Sequence, residues 1–374
     1  MGMLSTACRA ILFSILTACA ADTADDGDDE VDDNAEALAA EAAIGGHAFG
    51  LGVDAPKAVA SPLFATLKSG WIEGDAKLST ARIVYYLDPT LDNESKLRVW
   101  VDGVKAGGLQ PVVAVSVLHG VSRTDYRARF DRLLHDFPDV AYWGAVNEPD
   151  LEISGSSEER ADAAAVFYAD AYRVLRRCQN AGRCKGSVLL VAGEFAYQGG
   201  NPASSVAFWK KYADALKKQV KSAEHPNAPI HRFPRIWSFH PYTDTTSGKA
   251  DGTHRFDAFL AGVEKDENLP NKHLRAWLTE TGGILHHGDT CTTSVGNING
   301  KPQAQYDGAK ATFGLQKDTR VDRVYWWHFQ QIIGHPWDSA MVDGEGVPRG
   351  SFCALTRQPL AACKGDPWAT QCKP

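Results

Sequence analysis

Residues 111–146 decide the fold: Pro111-Val-Val-Ala-Val-Ser-Val117, then Thr124–Phe137, then Tyr142-Trp-Gly-Ala-Val146. The first and last stretches are short runs of β-branched, aromatic and small apolar residues, which read as strands. Between them Tyr126, Phe130, Leu133, Leu134 and Phe137 share one face at helical spacing, and Ser122 stands where an N-cap belongs. Strand, helix, strand in this order is a crossover unit, the connection that joins parallel strands.

The same rhythm extends in both directions. Strand signals fall at Phe49–Val53, Ala81–Tyr86, Pro111–Val117, Tyr142–Val146, Val188–Ala192, Ile236–Phe239, Ala276–Thr279 and Arg323–Phe329. Ser157–Gly182 and Ala203–Ser222 are the longest helical segments between them, and an eighth helix fits around Gly350–Ala361. Eight alternations select a closed (β/α)8 TIM barrel, one α/β domain over 46–363, rather than an open sheet. A doubly wound sheet would want a glycine-rich phosphate turn after its first strand, and Gly50-Leu-Gly52-Val-Asp-Ala lacks the third glycine.

Composition excludes some partners. The 374 residues carry a net charge of −7, but residues 20–45 hold ten acids and no base, and 1–19 hold only Arg9, so the body from 46 onward is slightly positive. It lacks the basic footprint that nucleic acid requires. The acidic stretch has almost no large apolar group and reads as a disordered linker.

Before that linker, Arg9 precedes the short apolar run Ala10–Leu16, far too short to span a bilayer. It is the layout of a secretory signal. Leu16-Thr-Ala-Cys19 resembles the bacterial lipobox, which implies cleavage before Cys19 and acylation of its thiol, and a place on the outer membrane or cell surface, or otherwise secretion. Apart from Cys8 and Cys19, six cysteines remain. Cys178 and Cys184 are spaced to close a small loop after a helix, and Cys353, Cys363 and Cys372 suit a stapled tail over 364–374, with Cys291 as a partner.

In a (β/α)8 barrel chemistry gathers at the C-terminal ends of the strands. The fourth strand ends in Asn147-Glu148-Pro149-Asp150 and the seventh in Glu280-Thr-Gly-Gly283. Counting by twos, Glu148 shares the inward parity of Gly144 and Val146, and Glu280 that of Ala276 and Leu278, so both should face the mouth. Two facing carboxylates suit glycoside hydrolysis: one protonates the leaving oxygen, the other attacks the anomeric carbon. The sixth strand ends in His240-Pro-Tyr242, the second contains Arg82, and the eighth carries Trp326-Trp327, of which Trp327 should face the mouth. Each motif alone has a plainer reading, as a strand stop, a cap or a structural ion pair. Their occurrence in order on strands two, four, six and seven favours the catalytic one.

These motifs resemble clan A glycoside hydrolases, retaining (β/α)8 β-glycosidases, over most of 46–363. The resemblance implies Glu148 as acid/base and Glu280 as nucleophile. It gives Asn147 the sugar 2-hydroxyl, has Arg82 keep Glu280 ionised and Tyr242 orient it, and places His240 and Trp327 against substrate. The expected activity is cleavage of β-glycosidic bonds in a polysaccharide, endo-acting on a β-glucan. The competing reading is a non-catalytic glycan-binding surface lipoprotein on a degenerate barrel.

Other chemistries lack their signatures. Gly-x-Ser-x-Gly, a P-loop and His-Glu-x-x-His are all absent from the sequence, and His286, His287 and His328 follow no metal-ligand spacing. The expectation is an enzyme without metal or cofactor, a monomer whose partners are a polysaccharide or oligosaccharide and, through Cys19 alone, a membrane.

Overall fold

The computed structural model describes residues 48–53, 58–70, 78–87, 93–118, 120–196, 202–221, 234, 236–246, 255–265, 275–287, 290–291, 302–335 and 337–365. The signal segment with Cys19, the acidic linker and Cys372 lie outside them. Eight barrel strands run Ala48–Gly52 (β1), Leu78–Tyr86 (β2), Gln110–Ser116 (β3), Tyr142–Gly144 (β4), Leu189–Phe195 (β5), Ile236–Phe239 (β6), Arg275–Thr281 (β7) and Val321–Trp326 (β8). Every neighbouring pair is parallel and β1 closes on β8, so the sheet is a barrel. Helices cover it: Pro62–Gly70 (α1), Glu94–Ala106 (α2), Arg123–Asp136 (α3), Ser157–Asn180 (α4), Pro202–Lys221 (α5), Arg255–Glu264 (α6), Pro302–Gly314 (α7) and Gly350–Thr356 (α8). The single-domain (β/α)8 barrel expected from the alternation is the fold.

Local chemistry sets the helix ends. Ser122 Oγ accepts from Asp125 N at 3.1 Å and starts α3. Ser156 and Glu159 form a reciprocal capping box at α4. The last helix is shorter than expected: α8 stops at Thr356, Arg357 takes a left-handed φ of 54°, and a 3₁₀ turn follows at Leu360–Ala362. Disulfides join Cys178 to Cys184 just past α4, and Cys353 in α8 to Cys363.

The core has two parts. Outward-facing strand residues, among them Val113, Trp143, Ala192, Trp237, Leu278 and Val324, pack against the helices in one continuous apolar layer. Inside the barrel, Val112, Tyr142, Val191, Ile236, Trp277 and Tyr325 fill the cross-section, one from each of β3 to β8. They floor the mouth above.

Candidate active site

Position along each inward-facing column decides what reaches the mouth. On β2, Arg82 pairs in register with Val112 of the interior layer, so it too points inward, and Val84 follows above it. On β6 the inward residues continue from Ile236 through Ser238 to His240. On β8 they run Arg323, Tyr325, Trp327, which puts Trp326 outside, its indole Nε1 donating to Ser339 O at 2.9 Å. Trp327 joins Val84 and Tyr242 in a small apolar cluster at the mouth. Gly52 on β1 makes this possible, because a Cβ there would lie 2.1 Å from the Trp327 ring.

Glu280 reaches the mouth by a route that simple alternation misses. Ala276 and Leu278 face the helices, and Trp277 is the inward residue. The β7–β8 register shifts here: Val324 pairs with Leu278 but Trp326 with Thr281, so β7 carries an extra residue and Glu280 swings inward. There Arg82 Nη1 donates to its Oε1 at 2.7 Å and the Tyr242 hydroxyl to its Oε2 at 2.9 Å.

Glu148 follows β4, where backbone bonds from Ala145 to Val191 and from Asn147 to Val115 thread the chain between β5 and β3. It has a left-handed φ of 36° and caps the single turn Pro149–Glu152. For a residue with a side chain such a conformation costs about 1–3 kcal/mol, and strain of this kind collects at functional sites. His240 Nδ1 lies 2.9 Å from Glu148 Oε1 and 3.8 Å from Glu280 Oε2. Donor atoms of Glu148, His240 and Glu280 all fall within 4.8 Å of one another. The side chain of Glu148 is 22% exposed and that of Glu280 6%, so Glu148 is the more open to solvent.

Asn147 is held at both ends of its carboxamide. Arg82 Nη2 donates to Oδ1 at 2.7 Å, and Nδ2 donates to Glu152 Oε1 at 2.8 Å. The Arg82 guanidinium also lies 5.4 Å from the Trp327 ring centroid. Arg82, Asn147, Glu148, His240, Tyr242, Glu280 and Trp327, the seven barrel residues singled out from sequence, thus meet at one end of the barrel.

Three further acids complete the site, and sequence reading missed them. Glu194 on β5 is fully buried; it pairs with Arg82 and its Oε2 is 3.7 Å from His240 Nε2. Gly193 and Glu194 both have positive φ, 92° and 50°, and the β5–β6 register shifts across them. The bulge turns Glu194 into the barrel, where its Oε1 would lie 2.3 Å from a Cβ on Gly144. A sequence signal existed: an acid inside the otherwise apolar run Ala192-Gly-Glu-Phe-Ala196. Glu152 accepts from Ser116 Oγ at 2.7 Å and Val117 N at 3.2 Å, and Asp150 from Ala196 N at 2.9 Å.

Environment spreads these groups over a wide titration range. Burial opposes charge on His240, but the Glu280 carboxylate and hydrogen bonds to Glu148 and Glu194 prevail and raise it to about 10. At neutral pH the ring is an imidazolium, donating from Nδ1 to Glu148 and from Nε2 to Thr279 Oγ1 at 3.0 Å. Burial also opposes charge on Glu194, yet Arg82 and then His240 hold its carboxyl below the usual range. Burial pushes Asp150 up to about 6 and Glu152 to about 7. The closeness of Glu148, His240 and Glu280 is also a spacing that a cation could bridge. Here both Glu280 oxygens already accept from Arg82 and Tyr242, and a protonated His240 has no ring lone pair to offer, so the set is a poor ligand for a cation.

Comparison with solved structures reproduces the architecture. A broad-specificity endoglucanase from Clostridium acetobutylicum matches at a TM-score of 0.52 and 14% identity, over 83% of this chain and 96% of that one. A glycoside hydrolase family 5 enzyme from Prevotella bryantii B14 matches at 0.50 and 13%, over 85% and 97%. What is shared is the (β/α)8 barrel. Beta-glucuronidase 2 of Bacteroides uniformis also matches, at 0.52 and 11% identity over 83% of this chain, which spans only 34% of that larger protein. No family model matches the chain, and no curated protein matches it. At these identities the likeness is one of fold, and the chemistry rests on the residues themselves.

Proposed function

We propose that the protein is a retaining β-glycosidase. The observation that carries the reading is the approach of Glu148 and Glu280, whose oxygens come within 4.8 Å. Retaining enzymes hold their two carboxyl groups about 5–5.5 Å apart, whereas inverting ones leave room for a water. Glu280, bonded to Arg82 and Tyr242, is the nucleophile. One of its oxygens bonds to the anomeric carbon as the glycosidic bond breaks and the Glu148 proton passes to the leaving oxygen. Water then attacks the same carbon, gives a proton to Glu148 and frees Glu280 as a carboxylate. Asn147 lies beside Glu148 for the sugar 2-hydroxyl, and Trp327 offers an apolar wall to the ring.

The substrate in this reading is a β-linked polysaccharide, a β-glucan cut internally. The fold shared with an endoglucanase supports that choice. The lipobox-like Leu16–Cys19 supports a lipid anchor, with the acidic linker holding the barrel away from the membrane of the cell surface. Mass spectrometry of the mature N-terminus tests the anchor: an unmodified start beyond Cys19 removes it.

Two variants test the chemistry. Glu280→Ala should abolish hydrolysis of both polymer and activated aryl β-glycosides, on the order of 10⁴-fold or more. Glu148→Ala should spare aryl glycosides, whose leaving groups need no proton, relative to polymer. Equal losses on both substrates in both variants reject the roles. Binding of β-glucan, mannan, xylan or galactan with no hydrolysis of any would favour the non-catalytic glycan binder.

A further inference from the structure

Glu194 is the one fully buried acid of the site with no part in the two-carboxylate chemistry. Considerable local structure serves to place it. The β5 bulge spends two consecutive positive-φ residues on its direction, and Gly144 leaves open the space it fills. It accepts from Arg82 and faces His240, the two cations that also bind Glu280 and Glu148. The backbone ties the same places together: Glu148 N donates to Glu194 O at 3.0 Å.

We infer that Glu194 is a positioning residue: its permanent charge offsets Arg82 and His240 so that Glu148 can carry the proton the leaving group needs. This rests on the glycosidase reading. Before reaction, Arg82 and His240 are positive, Glu194 and Glu280 negative and Glu148 protonated, so these five groups sum to zero. In the glycosyl-enzyme Glu280 is a neutral ester and Glu148 is ionised, and the sum is again zero. The proton leaves Glu148 as the charge leaves Glu280, and the buried charge never changes. Without Glu194 the same set would hold one unbalanced positive charge at both stages. That charge falls on the imidazolium that faces Glu148 at 2.9 Å and on the guanidinium that holds Glu280. The remaining titratable groups facing Glu148 and His240 are Tyr242 from the turn after β6 and Asp150 and Glu152 from the turn after β4. None of them touches Arg82 and His240 together, as Glu194 does.

The test compares wild-type full-length protein with Glu194→Gln, which keeps shape and removes charge. Titration of the His240 ring by NMR in ¹⁵N-histidine protein requires no substrate. The wild-type ring should remain protonated through pH 8, and in Glu194→Gln it should titrate at least one pH unit lower. The basic limb of kcat/KM for a β-glucan oligosaccharide should move to lower pH by a unit or more. The rate loss should be at least tenfold larger for the oligosaccharide than for a dinitrophenyl glycoside. Glu194→Asp should restore most of the basic limb. An unmoved limb, with losses equal across leaving groups, overturns the inference. So does a wild-type His240 that is neutral at pH 7, a result that stands even if Glu194→Gln fails to fold. A wild-type protein inert toward every glycoside overturns the glycosidase reading instead, while the ring titration still decides whether Glu194 holds the imidazolium charge.

Discussion

Among the described residues two arginines point into this barrel, and their surroundings are opposites. Arg323, at the N-terminal end, lies 4.7 Å from the ring centre of Tyr142 and 4.4 Å from that of Trp277, and donates to the Tyr142 hydroxyl at 3.3 Å. Arg82, at the C-terminal end, touches Glu194, Glu280 and Asn147. Aromatic faces hold a cation without giving it anything to do to a substrate. Carboxylates around a cation are held ionised and aimed. One end of the cylinder therefore sets its arginine among aromatic rings and the other among carboxylates.

The largest effect should separate the two. Arg82→Met leaves Glu194 buried beside His240 alone; kcat/KM should fall by on the order of 10³ and stability by about 3–5 kcal/mol. Arg323→Met removes cation–π contacts worth about 1–2 kcal/mol and one long hydrogen bond to the Tyr142 hydroxyl, so its melting temperature should drop a few degrees with kcat/KM within about threefold of wild type. Similar activity losses in both would erase the distinction. A smaller effect is expected of Gly144→Ala, whose new methyl displaces Glu194: stability should fall by about 1–3 kcal/mol and kcat/KM by about 10- to 100-fold. Adding Glu194→Ala should restore stability but not activity, and a Gly144→Ala enzyme as fast as wild type would show that Glu194 tolerates displacement.

The smallest effect lies in the pH dependence of stability. His240 is raised in the folded protein, so its stabilisation is complete below its ordinary value of 6.5 and is lost as pH rises toward about 10. Glu194 is lowered, so its stabilisation is present above the ordinary 4.5 and lost as pH falls below that. Asp150 and Glu152, raised to about 6 and about 7, oppose folding as they ionise, so urea midpoints should fall below pH 4.5 and should also fall from there upward, through about pH 7 and on toward 10 as His240 loses its proton. His240→Gln should flatten the alkaline side, and Arg323→Met should leave both slopes as they are.

Much of this was legible in the sequence. Eight apolar runs gave eight strands, because a buried parallel strand needs an unbroken apolar stretch and its ends are marked by the first polar residue. That same break in polarity exposed Asn147, Glu148, His240, Tyr242 and Glu280. Register was harder to read. Alternation put Leu278 inside with Glu280, but the shift against β8 separates them. Glu194 was hidden for the same reason, since the strand was expected to stop at Ala192 and two left-handed residues extend it instead. Bulges depend on neighbouring strands, which no local stretch of sequence reveals. The side-chain partners of Cys291 and Cys372, like the fate of Cys19, fall outside the described residues.

Gly144 and Glu194 also restrict how this sequence can diverge. With the acid in place, any residue larger than glycine at 144 must push its carboxylate aside, so drift at that position costs less once the acid is gone. Among descendants of such a chain, glycine without glutamate leaves a gap, whereas glutamate without glycine carries a displaced carboxylate, so the first order of loss is the easier one.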